Sequence, residues 1–123
     1  MTNKEVNTLI QGDIPVLFDF YADWCGPCQA QTPIINEIEK HYGEQLHILR
    51  INVDKERKLS EKYSIFSIPS LILMHKGEQK WKVAGVRSLR DIQKIVDKEL
   101  GIKETPTSKD NFFSNLFKKK ENK

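Results

Sequence analysis

The chain has 123 residues, enough for one domain with a hydrophobic core but hardly for two. No apolar run reaches the roughly 20 residues that a membrane-spanning helix needs, and residues 1–5 lack the features of a signal peptide. Residues 1–101 contain 14 basic and 14 acidic side chains, so the formal charge of +3 comes from residues 102–123. A neutral body argues against nucleic acid binding, which needs a basic face. We therefore expect a cytoplasmic protein without a nucleic acid partner, with a domain over 1–101 and a basic C-terminal extension over 102–123.

Apolar spacing and capping residues predict eight elements. Thr2 and Glu5 fit a capping box for the first helix, and Asp54 is expected to cap the third. In chain order we expect a helix from residue 3 to before Gly12, a strand over 15–21, a helix from about 25 to 42, a strand over 46–53, a helix over 54–63, strands over 71–76 and 79–84, and a helix over 89–100.

The order of these elements predicts an α/β fold. Two strand-helix-strand units imply parallel pairing, whereas the short connection at residues 76–78 implies an antiparallel hairpin. The sheet should therefore be mixed, with helices on both faces.

The only two cysteines, Cys25 and Cys28, stand where the first strand gives way to the second helix. Their spacing puts both sulfurs on one face of the first helical turn, where a reversible disulfide can form and the helix N-terminus favours a thiolate. We expect Cys25 to be the more exposed, attacking sulfur and Cys28 the shielded, resolving one. Gly26 admits a partner backbone, Pro27 fits the first helical turn, and Trp24 offers a flat apolar surface.

Half of a zinc site is the alternative interpretation of the same spacing. Zinc needs four ligands, and the other nitrogen donors, His41, His47 and His75, show no paired ligand spacing. Pro27 at a helix junction suits redox chemistry better, so we expect no metal.

Several separate segments of the chain resemble the thioredoxins, and the resemblance covers about residues 1–101. The segments are FDFYADWCGPC at 18–28, Pro33, Asn52-Val53-Asp54, Tyr63, Ile68-Pro69-Ser70, Lys76-Gly77-Glu78 and Val83-Ala84-Gly85. The resemblance implies the thioredoxin fold. Because the chain starts too late for the usual first strand, we expect four strands, with the strand over 46–53 at an edge.

The resemblance also implies an activity. The protein is expected to be a thiol-disulfide oxidoreductase that reduces protein disulfides or low-molecular-weight mixed disulfides through the Cys25/Cys28 pair. It would bind no cofactor, take electrons from NADPH through a thioredoxin reductase, and act as a monomer. An oxidant would share the fold, but the Gly-Pro dipeptide favours a reductant. The alternative is a protein-binding or chaperone-like module whose thiol chemistry is incidental.

Four further residues take roles by position in the family pattern. Asp19 matches a buried carboxylate that accepts the proton of Cys28; an ordinary hydrogen-bonded strand aspartate is the alternative. Pro69 matches a cis-proline that faces the disulfide, although base rates alone favour a trans bond. Ile68 would then offer its backbone to the substrate. Gly85 would leave room for a bound peptide, unless it is an ordinary strand-end glycine.

Two side chains depart from the family pattern. Arg50 stands where a lysine is common; paired with Asp19 it would lower the pKa of that carboxyl, and otherwise it points to solvent. Phe66 stands where the family has small, partly basic residues; it either enlarges the apolar docking surface or is buried as a core aromatic.

The extension reads as a polar linker and then a short amphipathic segment. Phe112, Phe113, Leu116 and Phe117 fall on one side of a helix and precede three lysines. Docking onto the domain, contact with a membrane or a protein partner, and disorder all remain open, with membrane contact the least expected.

Overall fold

The computed structural model describes residues 1–102, so the amphipathic helix expected in the extension lies outside the described residues. Within this part the chain forms four α-helices, four strands and one short 3-10 turn over Gly43–Gln45. The elements are α1 Asn3–Ile10, β1 Val16–Tyr21, α2 Gly26–Tyr42, β2 His47–Asn52, α3 Arg57–Lys62, β3 Ser70–His75, β4 Glu78–Ala84 and α4 Leu89–Leu100. Their order confirms the predicted one.

The strands form one mixed sheet in the order β2-β1-β3-β4. β1 pairs in parallel with β2 and antiparallel with β3, and β3 pairs antiparallel with β4. The hairpin turn places Lys76 and Gly77 at φ angles of +53° and +80°, which matches the twist of the two strands it joins. β2 lies at one edge of the described sheet, as expected.

Each face of the sheet carries two helices and its own apolar cluster. Phe18 and Phe20 of β1 pack with residues of α1 and α3 on one face. Leu17 packs with residues of α2 and α4 on the other. Since side chains alternate along a strand, Asp19 shares the face of Leu17 and lies under α2. In residues 1–102, no helix combines the length and apolar character needed to cross a membrane.

Side chains cap the starts of α1 and α4, and the capping box at Thr2 confirms the predicted one. Thr2 Oγ1 accepts the backbone N–H of Glu5, and the Glu5 carboxylate accepts the backbone N–H of Thr2. Ser88 Oγ accepts the backbone N–H of Asp91 at the start of α4. Gly101 ends α4 in the left-handed conformation that glycine adopts without strain.

The prediction that Asp54 caps the third helix is wrong. α3 begins at Arg57, and the preceding Glu56 makes no side-chain capping bond. The amide oxygen of Asn52 instead accepts the backbone N–H groups of Asp54 and Lys55. This local bond folds the chain into a turn after β2 and delays the helix, because an asparagine side chain competes with helical hydrogen bonding.

Candidate active site

The cysteine pair lies at the start of α2, directly above the carboxyl end of β1. Cys25 is the N-cap of the helix, and Cys28 lies in its first turn. The two form a disulfide with their Cα atoms 5.3 Å apart. The backbone N–H of Cys28 donates to Cys25 Sγ at 3.1 Å. The Cys25 sulfur therefore takes the place of a capping side chain, where a helix N–H group and the helix dipole both stabilise negative charge.

Both cysteine residues are buried in the disulfide-bonded state, so the expected difference between their sulfurs stays a prediction. Cys25 and Cys28 are each 4% exposed. The bonded pair packs into a small cluster with Ala22, against the half-buried side chain of Ile68. As whole residues, the two cysteines are therefore buried to the same extent in the oxidised form.

Trp24 stands beside the disulfide as an exposed aromatic side chain. It is 70% exposed, and its indole Nε1–H donates to Asp54 Oδ2 at 2.8 Å. The bond fixes the orientation of the ring from the turn after β2. Sequence reasoning missed this contact, because Asp54 was assigned to a helix cap.

Three other predicted residues form one loop system next to the pair. The Ile68–Pro69 peptide bond is cis, as the resemblance implies. The backbone N–H of Gly85 donates to the carbonyl of Pro69 at 2.8 Å. Gly85 has a φ of +91°, which disfavours other residues, and a Cβ built there would meet no atom within 4 Å. The loop after β4 therefore lies against the proline and leaves open space beside it.

Asp19 is a buried carboxylic acid on the face of β1 that α2 covers. It is 4% exposed, and its Oδ1 has no hydrogen-bond partner among the described residues. Burial raises its pKa from 3.8 to about 6, and the positive charge of Arg50 opposes that rise. A carboxyl with a pKa near neutrality can both take and return a proton.

Arg50 neither pairs closely with Asp19 nor turns away from it. The two residues are register partners on neighbouring strands. The guanidinium, however, donates to Asn36 Oδ1 at 2.7 Å and lies 3.5 Å from Glu39 Oε1, both on α2. Arg50 thus acts on the pKa of Asp19 through its charge, and burial has the larger effect.

Gln31 is a residue of the site that sequence reasoning missed. Its side chain is fully buried in α2. The amide donates from Nε2 to the carbonyl of Arg87 at 3.0 Å and accepts the backbone N–H of the same residue at 2.8 Å. The pair of bonds holds the loop after β4 against the active-site helix.

No metal cluster is present in the part of the chain that the structure describes. There, three or more His, Cys, Asp or Glu side chains do not gather at any point as possible ligands.

Comparison with known proteins identifies the family of this chain. The family model described as thioredoxin matches residues 1–98. A thioredoxin of Rickettsia typhi is 35% identical over 94 residues, which cover 76% of this chain and 90% of the rickettsial protein. A thioredoxin of Bacillus subtilis is 36% identical over 85 residues, covering 69% of this chain and 82% of that protein.

A solved structure gives the corresponding result for the fold. A mutant thioredoxin from Halobacterium salinarum superposes with a TM-score of 0.73 at 28% identity, covering 80% of this chain and 86% of that one. Together with the disulfide at the start of α2, these relatives favour thiol-disulfide exchange over a binding module with incidental thiols. The chain belongs to the thioredoxin family, and it is a thiol-disulfide oxidoreductase of the protein-disulfide reductase type.

Proposed function

We propose that Cys25 is the attacking sulfur and Cys28 the resolving sulfur in the reduction of disulfides. The Cys25 thiolate attacks one sulfur of the substrate, forms a mixed disulfide and expels the other substrate sulfur as a thiolate. Cys28 then attacks Cys25, which restores the internal disulfide and releases the second substrate sulfur. The observation that carries this assignment is the bond from the Cys28 N–H to Cys25 Sγ, because it marks Cys25 as the sulfur at the helix N-terminus.

Asp19 is proposed as the group that takes the proton of Cys28 when that thiol becomes the second nucleophile. Its pKa of about 6 suits an acceptor that is ionised at neutral pH. It lies on the sheet face beneath α2, the helix that carries Cys28. Arg50 adjusts the pKa of this acceptor through its charge.

The substrate chain is proposed to lie across the disulfide between two loops. Trp24 and Gly26 would contact it on one side, with Pro27 setting the helix start between the cysteines. Ile68, Pro69 and Gly85 would contact it on the other side. The open space at Gly85 and the half-buried Ile68 support this placement.

The source of electrons is proposed to be NADPH, delivered through a thioredoxin reductase. The protein itself would bind no cofactor, since its disulfide is the redox group. Its partners would then be this reductase and proteins that carry disulfides, and it would act as a monomer in the cytoplasm. Residues 1–101 are proposed as the catalytic domain, with residues 102–123 as an accessory extension.

Single replacement of each cysteine tests the order of attack. Cys28→Ser should leave Cys25 able to attack but unable to be resolved, so a disulfide-bearing protein should accumulate as a covalent adduct visible by non-reducing electrophoresis. Cys25→Ser should form no adduct under the same conditions. If Cys25→Ser formed the adduct and Cys28→Ser did not, Cys28 would be the attacking sulfur and Cys25 the resolving one.

The electron source needs a separate assay. The intact protein, a thioredoxin reductase and NADPH should together reduce a protein disulfide, with NADPH oxidation followed by absorbance. Activity with dithiothreitol but none with any NADPH-dependent reductase would leave the exchange chemistry in place and refute this donor.

A further inference from the structure

Exposed apolar side chains concentrate around the disulfide. Phe66 is 92% exposed, the largest exposed fraction among the large apolar side chains of residues 1–102. Trp24 precedes Cys25 in the chain, and the partly exposed Val86 follows Gly85, which bonds to Pro69. These side chains therefore come from three different loops that meet at the redox pair.

Phe66 lies on the loop that leads to the redox pair, and its side chain stays in solvent. Ile68, two positions further on, packs against the cluster that contains Cys25 and Cys28. Two residues of chain span at most about 7 Å, so the Cα of Phe66 lies within that distance of the Cα of Ile68. A polypeptide bound over the disulfide and Ile68 would therefore run beside the loop that carries the phenyl ring.

The loop that carries Phe66 is anchored before the phenylalanine. Lys82 Nζ on β4 donates to the carbonyls of Tyr63 and Ser64 at 2.9 and 3.0 Å. The backbone N–H of Ile65 donates to the carbonyl of Ser60 at 2.9 Å, and the Ile65 side chain packs against the apolar cluster of α1 and α3.

The same loop is also anchored after the phenylalanine. Ser70 Oγ donates to the carbonyl of Ser67 at 2.7 Å, and Pro69 accepts the N–H of Gly85. Both neighbours of the exposed ring in sequence are therefore part of a braced backbone. The outward direction of Phe66 is set by this backbone and not by a mobile segment.

An exposed phenyl ring on a braced loop has a physical meaning. It gains almost nothing from folding, since its apolar area stays in water. A partner that covers it regains that area, and the fixed backbone spares the partner the entropy of ordering the loop. Such a side chain is suited to docking.

We propose that Phe66 docks an apolar side chain next to the disulfide of a substrate polypeptide, so that the protein selects protein disulfides with apolar neighbours over small-thiol mixed disulfides. The inference rests on the proposed exchange chemistry and adds its substrate class. A small disulfide occupies only the space over the sulfurs and does not reach the ring. A polypeptide extends beyond the disulfide in both directions and therefore reaches the ring.

Matched disulfide probes test the proposal. Two peptides of the same length would carry one disulfide each, flanked by leucine in one and by serine in the other, with bis(2-hydroxyethyl) disulfide as the small probe. The reduced full-length protein is mixed with each probe, and the second-order rate of dithiol oxidation is measured. Phe66→Ala should lower the rate with the leucine peptide by about tenfold, a typical loss for one well-covered aromatic contact. Its rates with the serine peptide and the small probe should change by less than about twofold.

Ile14→Ala is the matched control, because Ile14 is an exposed apolar residue before β1, at the opposite end of that strand from the disulfide. It should change none of the rates. Lys82→Met removes the two bonds that brace the loop and keeps an apolar stem of similar length. It should reproduce part of the Phe66→Ala effect on the leucine peptide only.

The outcomes separate this proposal from the exchange chemistry. Equal losses on all three probes would show that Phe66 acts on the redox pair itself, and unchanged rates would show that it docks nothing; either result overturns the proposal. If the unaltered protein reduced none of the probes, the proposed exchange chemistry would fail first.

Discussion

Asp19 is an acidic residue whose burial costs the folded protein stability once the carboxyl ionises. Its pKa rises from 3.8 to about 6, mainly through burial. Between these two values the folded state binds more protons at Asp19 than the unfolded state, so the contribution of Asp19 to stability is greatest at low pH and falls as pH rises towards the folded pKa. Above pH 6 the ionised carboxylate costs about 3 kcal/mol.

Asp19→Asn should therefore stabilise the oxidised protein at pH 7.5 by up to about 3 kcal/mol and lose this advantage near pH 4. Asparagine keeps the shape of the side chain and cannot ionise. Urea unfolding at a series of pH values measures the difference. Asp13→Asn, at an exposed carboxyl, is the control. A difference that stays constant with pH would contradict the raised pKa.

Arg50 limits the rise in the pKa of Asp19 that burial causes. Arg50→Met removes the opposing positive charge while the burial of Asp19 remains, so the pKa of Asp19 should move further above its value in the unaltered protein. Arg50→Lys keeps a positive charge and should change the pKa of Asp19 less than Arg50→Met does. Carbon-13 NMR titration of the Asp19 carboxyl measures both. An unchanged titration in Arg50→Met would rule out the charge coupling.

At the scale of elements, Gln31 links α2 to the loop after β4. Gln31→Leu keeps the side-chain volume but leaves the N–H and carbonyl of Arg87 without these partners. We expect a loss of about 1–3 kcal/mol in the free energy of unfolding, since Arg87 is half-buried and each of the two hydrogen bonds contributes about 0.5–1.5 kcal/mol. Gln29→Leu, at an exposed position on the same helix, is the matched control.

Urea unfolding of both glutamine variants gives this comparison, and hydrogen exchange at the Arg87 amide gives a local readout. Faster exchange there with near-normal global stability would mean that the bonds order the loop without supporting the fold. Equal effects of the two substitutions would contradict the assigned role of Gln31.

Local signals predicted the elements well, and the errors come from side-chain contacts, one local and two long-range, that no helix or strand pattern includes. The caps at Thr2 and Ser88 follow from residues three positions apart, so the sequence contains the whole motif. Asp54 also precedes a charged helix, but it does not cap that helix. Its backbone N–H donates to Asn52, and its carboxylate accepts the indole N–H of Trp24. Gln31 finds its partner 56 residues later, beyond any helical pattern.

For the whole molecule, the order and length of the elements were enough to predict the mixed sheet and its covered faces. The position of Cys25 and Cys28 followed from the same pattern, because a strand and a helix meet there. The exposure of Phe66 and the partners of Arg50 could not follow, since both depend on how loops and side chains settle around the finished sheet. These are the two residues that distinguish this chain from the family pattern.

The basic extension follows α4, the last helix of the described domain. The described sheet, its helices and the disulfide all lie in residues 1–102. The end of α4 is closed within this part, by bonds from the backbone N–H of Gly101 to the carbonyl of Lys98 and from that of Ile102 to the carbonyl of Asp97. A chain that ends at Lys103 should therefore fold, and its melting temperature should lie within about 3 °C of the full-length value. A loss of about 1 kcal/mol in stability would shift the melting temperature by more than this.

Thermal unfolding and the rate with the leucine peptide test this chain against the full-length protein. If both chains had the same melting temperature and the same rate, residues 1–103 would be sufficient for folding and for substrate docking. A clearly lower melting temperature would instead mean that residues 104–123 dock on the domain. A normal melting temperature with a slower rate on the peptide alone would assign those residues to substrate binding, because their excess of lysine could hold an acidic segment of the polypeptide near the disulfide.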